Sequence, residues 1–339
     1  MVPGIKTKQQ PMKRYGQLFD TFVSFSNLLI AYKKARKGAV GKRETQQFSF
    51  YLEKELFFLQ DELMAGNYQP RPYRYFKIHD PKERTISVAA FRDRVVHHAL
   101  INILEPIYEK SFIYDSYATR KEKGTHRAVH RAQSFLRQTG WFWKADINKY
   151  FDSIQQSQLI DLLERKIKDV RLLDISSRII QNGGENGRGL PIGNLTSQFF
   201  ANVYLNGFDH FLKETLGVKH YLRYMDDFVL FHQDKAKVKS WRQTVKEYLH
   251  HQLDLQIKEK ASYLNSAANG LTFLGRRIFP SAIRIARPNA RRMIRRMAKR
   301  KREFQNGTQS EEKYVQSMNS YWAQLADFPL LRKQLLRKV

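Results

Sequence analysis

The chain predicts an α+β fold, and three observations carry that prediction. Tyr221-Leu222 and Phe228-Val229-Leu230-Phe231 are short apolar runs joined by Tyr224-Met225-Asp226-Asp227, the pattern of a β-hairpin whose turn presents adjacent carboxylates. Trp141-Phe142-Trp143-Lys144-Ala145-Asp146-Ile147 reads as a strand, with Trp141, Trp143, Ala145 and Ile147 on one face and Phe142, Lys144 and Asp146 on the other. Around these strands run helical periodicities, such as Leu52, Leu56, Leu59 and Leu63 ahead of Gly66-Asn67.

Taken in order, Met1 to Lys8 leads into polar residues without an apolar core, and no apolar run approaches the ~18 residues of a membrane span, so a cytoplasmic protein without membrane partners is expected. After the leucine helix, Tyr73–Ile78 and Arg84–Val88 form a hairpin around His79-Asp80-Pro81-Lys82. Val95, Val96, Ala99, Leu100, Ile103, Leu104 and Ile107 mark a second helix, with Arg92, Arg94 and His98 on its polar face. His97 and His98 point about 100° apart on such a helix, so they suit surface or core roles and not a metal pair. Gly124-Thr125 caps a helix through Ala128, Val129, Ala132 and Leu136, whose Arg127, His130, Arg131 and Arg137 read as a solvated face. Four glycines between Gly183 and Gly189 predict a mobile loop, and Phe199, Phe200, Val203 and Tyr204 a helix behind it. Eight of the twelve residues from Arg291 to Arg302 are basic, with Ile294, Met297 and Ala298 as a narrow apolar stripe.

A carboxylate at the end of a mostly buried strand is costly unless paired or metal-bound, which singles out Asp146. An Asp-Asp on a turn is ordinary by itself, because Asp favours turns. Carboxylates from neighbouring strands, however, can hold two Mg²⁺ about 3.5–4 Å apart for an in-line phosphoryl displacement. The chain has no cysteine, which excludes disulfides and thiolate zinc sites. Sixty Lys and Arg against 32 Asp and Glu give a formal net charge of +28, which suits a phosphate-backbone partner. With 42% hydrophobic and 13% aromatic residues, the chain carries far more core material than a basic tail or membrane-surface peptide needs.

Asp146-Ile147-Asn148-Lys149-Tyr150-Phe151-Asp152-Ser153-Ile154, Gly189-Leu190-Pro191-Ile192-Gly193-Asn194-Leu195-Thr196-Ser197-Gln198 and Tyr224-Met225-Asp226-Asp227 resemble, in order, motifs A, B and C of reverse transcriptases. Arg84-Thr85-Ile86 and Phe91 to Leu100 resemble the fingers motifs of the bacterial enzymes, Leu253 to Lys260 resembles motif D, and Phe273-Leu274-Gly275 resembles the primer-grip motif E. The resemblance spans roughly residues 25 to 335. It implies a right-hand polymerase with fingers, an antiparallel palm and a small helical thumb. The expected boundaries are an N-terminal extension over 1–44, fingers over 45–140 with part of 155–188, palm over 141–280 and thumb over 281–339. The same resemblance implies two Mg²⁺, with Mn²⁺ as a possible substitute, on Asp146, Asp226 and the Ile147 carbonyl, and Asp227 supporting them. Arg84, Phe151, Ile192, Gly193 and Lys258 are then the nucleotide-binding candidates, Arg84 toward the triphosphate and Phe151 as the gate against a ribose 2′-OH, although Tyr150 or Phe151 alike reads as a core aromatic. Arg291, Arg292, Arg295, Arg296 and Lys299 are expected along the template–primer phosphates.

Within that family Pro191 to Gln198 and Trp322-Ala323-Gln324 are most similar to the reverse transcriptases of diversity-generating retroelements. Ile192 stands where most reverse transcriptases have Gln, and Gln198 where they have Pro. Loss of a polar contact weakens discrimination, and the subfamily implies error-prone synthesis with errors concentrated opposite template adenine. The subfamily implies a template-repeat RNA, dNTPs, a cDNA product and a small basic oligomeric accessory protein. About sixty residues follow the motif E match, which leads to the expectation of a polymerase without a further nuclease domain. A retron-like or antiphage reverse transcriptase and an inactive RNA-binding scaffold are the alternatives.

Overall fold

A computed structural model describes residues 13–79, 83–325 and 328. The chain begins with four helices, α1 (Phe19–Val23), α2 (Phe25–Arg36), α3 (Arg43–Phe50) and α4 (Leu52–Met64). They surround α5 (Phe91–Glu109), which follows the exposed hairpin β1 (Arg74–His79) and β2 (Glu83–Val88). Leu56, Leu59 and Leu63 are buried, as the leucine periodicity predicts. The hairpin pairs antiparallel from Arg74 opposite Val88 to His79 opposite Glu83; its predicted tip, Asp80-Pro81-Lys82, lies outside the described residues.

Next come α6 (Thr125–Gln138), β3 (Trp141–Asp146), the short α7 (Tyr150–Ser153), α8 (Gln156–Glu164), α9 (Val170–Gln181), α10 (Leu195–Tyr204) and α11 (Asn206–His210). Then β4 (His220–Tyr224), β5 (Asp227–His232), α12 (Lys235–Leu253) and β6 (Tyr263–Ser266) complete a four-stranded sheet of order β4-β5-β3-β6, in which every pairing is antiparallel. Side-chain alternation divides the sheet between two cores. Trp143, Ala145, Tyr221, Phe228 and Leu230 join the core built with α5, α8, α9, α10 and α12. Phe142, Leu222, Val229 and Phe231 pack against Ala128, Val129, Ala132, Phe135 and Leu136 of α6. A small sheet follows, β7 (Leu271–Phe273), β8 (Arg276–Ile278) and β9 (Ile283–Ile285), then α13 (Arg287–Gln305) and α14 (Glu311–Gln324).

Several expectations are corrected. On α13 the buried face is Met293 and Met297, packed with Met318, Leu325 and Phe328, whereas Ile294 is 41% exposed. The i, i+4 pair that meets α14 decides the face, and hydrophobicity alone does not. The Gly183–Gly189 stretch is a tied turn: Glu185 and Arg188 exchange both backbone bonds, at 2.8 and 3.0 Å, and the Gly189 N–H donates to Ile154 at 2.8 Å. Gln156, buried beneath it, donates to the carbonyls of Gly183 and Gly189. The glycines there serve a compact backbone, not mobility. The polar face of α5 is engaged with its neighbours: Arg92 pairs with Glu62 and covers the Tyr68 ring, and Arg94 donates to the Ala35 carbonyl. On α6, Arg127, His130 and Arg137 are exposed as expected of a solvated face, and Arg131 alone departs from it, pairing with Asp115 at 2.8 Å and stacking on Phe135. His97 is buried in the core and pushed down to about 3 by that burial, which suits a neutral packing residue. Among the described residues no helix is long and apolar enough to cross a membrane.

Candidate active site

Three segments converge at one end of the central sheet. In the ladder Asp146 lies directly opposite Asp227, the last residue of β3 against the first of β5. Beyond the strand, the Ile147 N–H donates to the Asp226 carbonyl at 3.2 Å. On its other side the chain at 256–258 zips onto the same place: Lys258 N–H donates to the Asp146 carbonyl at 2.8 Å and Asn148 N–H to the Gln256 carbonyl at 2.7 Å. Residues about eighty and about 110 positions apart in sequence are thereby fixed side by side by backbone bonds alone. Tyr224 pairs with Asp227, which leaves Met225 and Asp226 as a two-residue hairpin loop. Met225 has φ +60, a left-handed conformation that a non-glycine residue adopts only when its surroundings enforce it.

The electrostatics of this end are unbalanced toward negative charge. Burial and the nearby Asp146 charge push Asp226 up to about 6, while Arg84 and Lys144 pull the other way. Burial also pushes Asp227 up to about 7 against the pull of Lys144. Lys144, itself only 9% exposed, places Nζ 2.6 Å from Asp227 Oδ1, the diagonal cross-strand neighbour. This lysine had no assigned role in the sequence reading, although its place on the Asp146 face of the strand was the available signal. With Asp227 engaged by Lys144, Asp146 and Asp226 are the carboxylates left to meet a cation. The donors here are all oxygens, which fits a hard divalent ion. Among the described residues no group of three or more His, Asp or Glu closes into a metal cage.

The linkage follows from these shifts. Both acids carry folded values above the ordinary 3.8, so their contribution to stability is full below about pH 4 and is lost as pH rises through 6 and 7. A divalent ion offsets that loss only where the carboxylates are ionised. The rise in melting temperature on adding saturating Mg²⁺ is therefore expected to be clear near pH 8 and to shrink near pH 5; an equal rise at both would break the assignment.

The other candidates fall into separate places. Arg84 is exposed on β2, within electrostatic reach of Asp226. Ile192 and Gly193 lie against β2: Ser87 N–H donates to the Ile192 carbonyl at 2.8 Å, and Asn194 Nδ2 donates to Ser87 O at 3.2 Å. Gly193 has φ +113, and a Cβ there would lie 2.8 Å from Ile86 Cγ2, so its immediate reason to be glycine is the approach of β2. Tyr150 is the buried aromatic, its hydroxyl donating to the Ala201 carbonyl at 2.5 Å, whereas Phe151 is half-buried and its carbonyl accepts from Leu190 N–H at 2.8 Å. Lys258 is half-buried beside Asp146. Phe273 is buried at the end of β7, and Leu274-Gly275, both with positive φ, turn the chain into β8. The Gly275 carbonyl accepts from Ala286 N–H at 3.0 Å, which ties this turn to the start of α13. On α13, Arg291, Arg295, Arg296 and Lys299 are exposed and Arg292 is half-buried.

The chain is 29% identical to protein YkfC of Escherichia coli over 270 residues, covering 66% of this chain and 71% of that one. It is 23% identical to the group II intron-encoded protein LtrA of Lactococcus lactis, covering 93% of this chain but 64% of that protein, so it spans less than two thirds of LtrA. In fold it is similar to apo telomerase from Candida tropicalis, with a TM-score of 0.51 at 13% identity, covering 66% of this chain and 50% of that one. Residues 77–278, well over half of the chain, match the family described as reverse transcriptase (RNA-dependent DNA polymerase), and the chain belongs to that family.

Proposed function

We propose that this chain copies an RNA template into DNA, and that it does so with low fidelity as the polymerase of a diversity-generating retroelement. The observation that carries the polymerase reading is the meeting of Asp146, Asp226 and Asp227 at the end of the antiparallel sheet. Asp146, Asp226 and the Ile147 carbonyl would hold two Mg²⁺, or Mn²⁺ in its place. Bound there, the ions supply charge neutralisation at the attacking and leaving oxygens. Lys144 holds Asp227 and keeps a fixed positive charge beneath the site. Arg84 offers a charge to the triphosphate from the β1–β2 hairpin, and Lys258 stands beside Asp146. In this reading residues 141–280 are the palm, 45–140 with part of 155–188 the fingers, and 281–339 the thumb, whose basic α13 follows template–primer phosphates as positioning contacts.

Phe151, the less buried of the two adjacent aromatics, is assigned as the gate against the ribose 2′-OH. Phe151→Val is expected to raise ribonucleotide incorporation at least about tenfold relative to dNTP, since removing one steric contact is worth about 1–3 kcal/mol of discrimination. Single-nucleotide extension with paired dNTP and NTP measures it, and unchanged sugar selectivity removes the assignment.

The retroelement reading rests on Ile192 and on Pro191 to Gln198. Ile192 offers the nucleotide shape without a hydrogen bond, which supports weak discrimination. Its partners are then a template-repeat RNA and a small basic oligomeric accessory protein. Primer extension on an RNA template balanced in the four bases, followed by sequencing of the cDNA, tests both levels. Errors concentrated opposite adenine, and reduced several-fold by Ile192→Gln, are expected. Uniformly low error with intact synthesis leaves the polymerase and removes the retroelement role.

A further inference from the structure

We infer that Arg223 is a positioning residue for the catalytic turn, coupling it to α10; this rests on the polymerase reading of the site. Arg223 and Asp209 are both 0% exposed. Arg223 Nε and Nη2 donate to Asp209 at 2.7 and 2.5 Å, and the Tyr221 hydroxyl donates to the same carboxylate at 2.7 Å. Nη1 then reaches two further acceptors, Asn202 Oδ1 at 3.0 Å and the Met225 carbonyl at 3.1 Å.

A buried ion pair is a poor device for stability, because well-packed apolar residues of similar volume often do as well or better. The second pair of contacts gives this one a different reason to exist. Met225 is the left-handed residue of the hairpin loop, and its carbonyl belongs to the peptide that leads into Asp226. Anchoring that carbonyl fixes the plane of the peptide and with it the direction in which the Asp226 carboxylate leaves the turn. Asn202 sits on α10, whose first residues follow directly from Ile192 and Gly193, and its own Nδ2 donates to the Ala118 carbonyl at 2.9 Å. One guanidinium fork therefore holds, at once, the helix behind the nucleotide-facing loop and the turn that carries the acid. A lysine cannot reproduce this, since it has no planar fork.

The test is the triple variant Arg223→Met/Asp209→Leu/Tyr221→Phe, which removes both charges and the orphaned hydroxyl together. Melting temperature, RNA affinity, the melting rise on adding Mg²⁺, and kcat and KM for dNTP are measured. A protein that melts near wild type and binds RNA normally, yet has kcat lowered about 100-fold with KM little changed and a smaller Mg²⁺ response, is expected, as for a reacting group displaced by about an ångström. A folded triple variant with wild-type kcat overturns the inference. If the triple variant does not fold, Arg223→Lys decides, because it keeps the charge on Asp209 and loses the fork: reduced kcat supports the role and unchanged kcat overturns it. A wild-type protein that extends no primer overturns the polymerase reading beneath it, a result distinct from either.

Discussion

Asp226→Ala is expected to lower primer extension by at least about 10³-fold while changing RNA affinity little. Asp226 stands at the hairpin loop, where the Asp146 charge acts on it, and belongs to neither apolar core. Removing it deletes one of two carboxylates left for a cation, since Asp227 is held by Lys144. The ion-free protein is not expected to suffer: a buried carboxylate pushed up to about 6 is a repulsive group at neutral pH, and its loss relieves Asp146 and Asp227. Extension assays, filter binding to RNA and thermal melting thus separate in a defined way, with activity lost, binding retained and melting equal or higher. Retained synthesis by Asp226→Ala would remove the catalytic assignment.

Arg223→Met alone is expected to destabilise the fold by about 3–5 kcal/mol, the usual consequence of leaving one buried charge without its partner. Asp209 is entirely enclosed, and among the described residues only the Tyr221 hydroxyl then remains to donate to its carboxylate. Urea unfolding measures the change as a lower midpoint with an unaltered slope. A loss under about 1 kcal/mol would contradict this expectation.

Much of this molecule is written in short-range pattern. The alternation Trp141 to Asp146 announces a strand with two covered faces, and Asp146 at its end announces a site, because a period of two leaves little freedom in where each side chain goes. The paired acids of the Tyr224–Asp227 turn were visible for the same reason. What escaped were contacts made across the chain. Lys144 reads as one more polar residue until β5 lies beside it, and Arg223 carries no signal of its own until Asp209, Asn202 and Met225 enclose it. The Gly183–Gly189 turn and the buried face of α13 failed on a related point. Glycine content and hydropathy describe a segment alone, whereas Gln156 beneath one and α14 beside the other decide the outcome.

The seam between Ser87 and the Ile192–Asn194 loop has a kinetic consequence. Two hydrogen bonds and a glycine without room for a methyl group lock the β1–β2 hairpin to the segment bearing Ile192. Any swing of the hairpin must drag that segment with it, so in the proposed polymerase gripping the phosphates and inspecting the base would be geared to one another. Loosening the seam should slow both together.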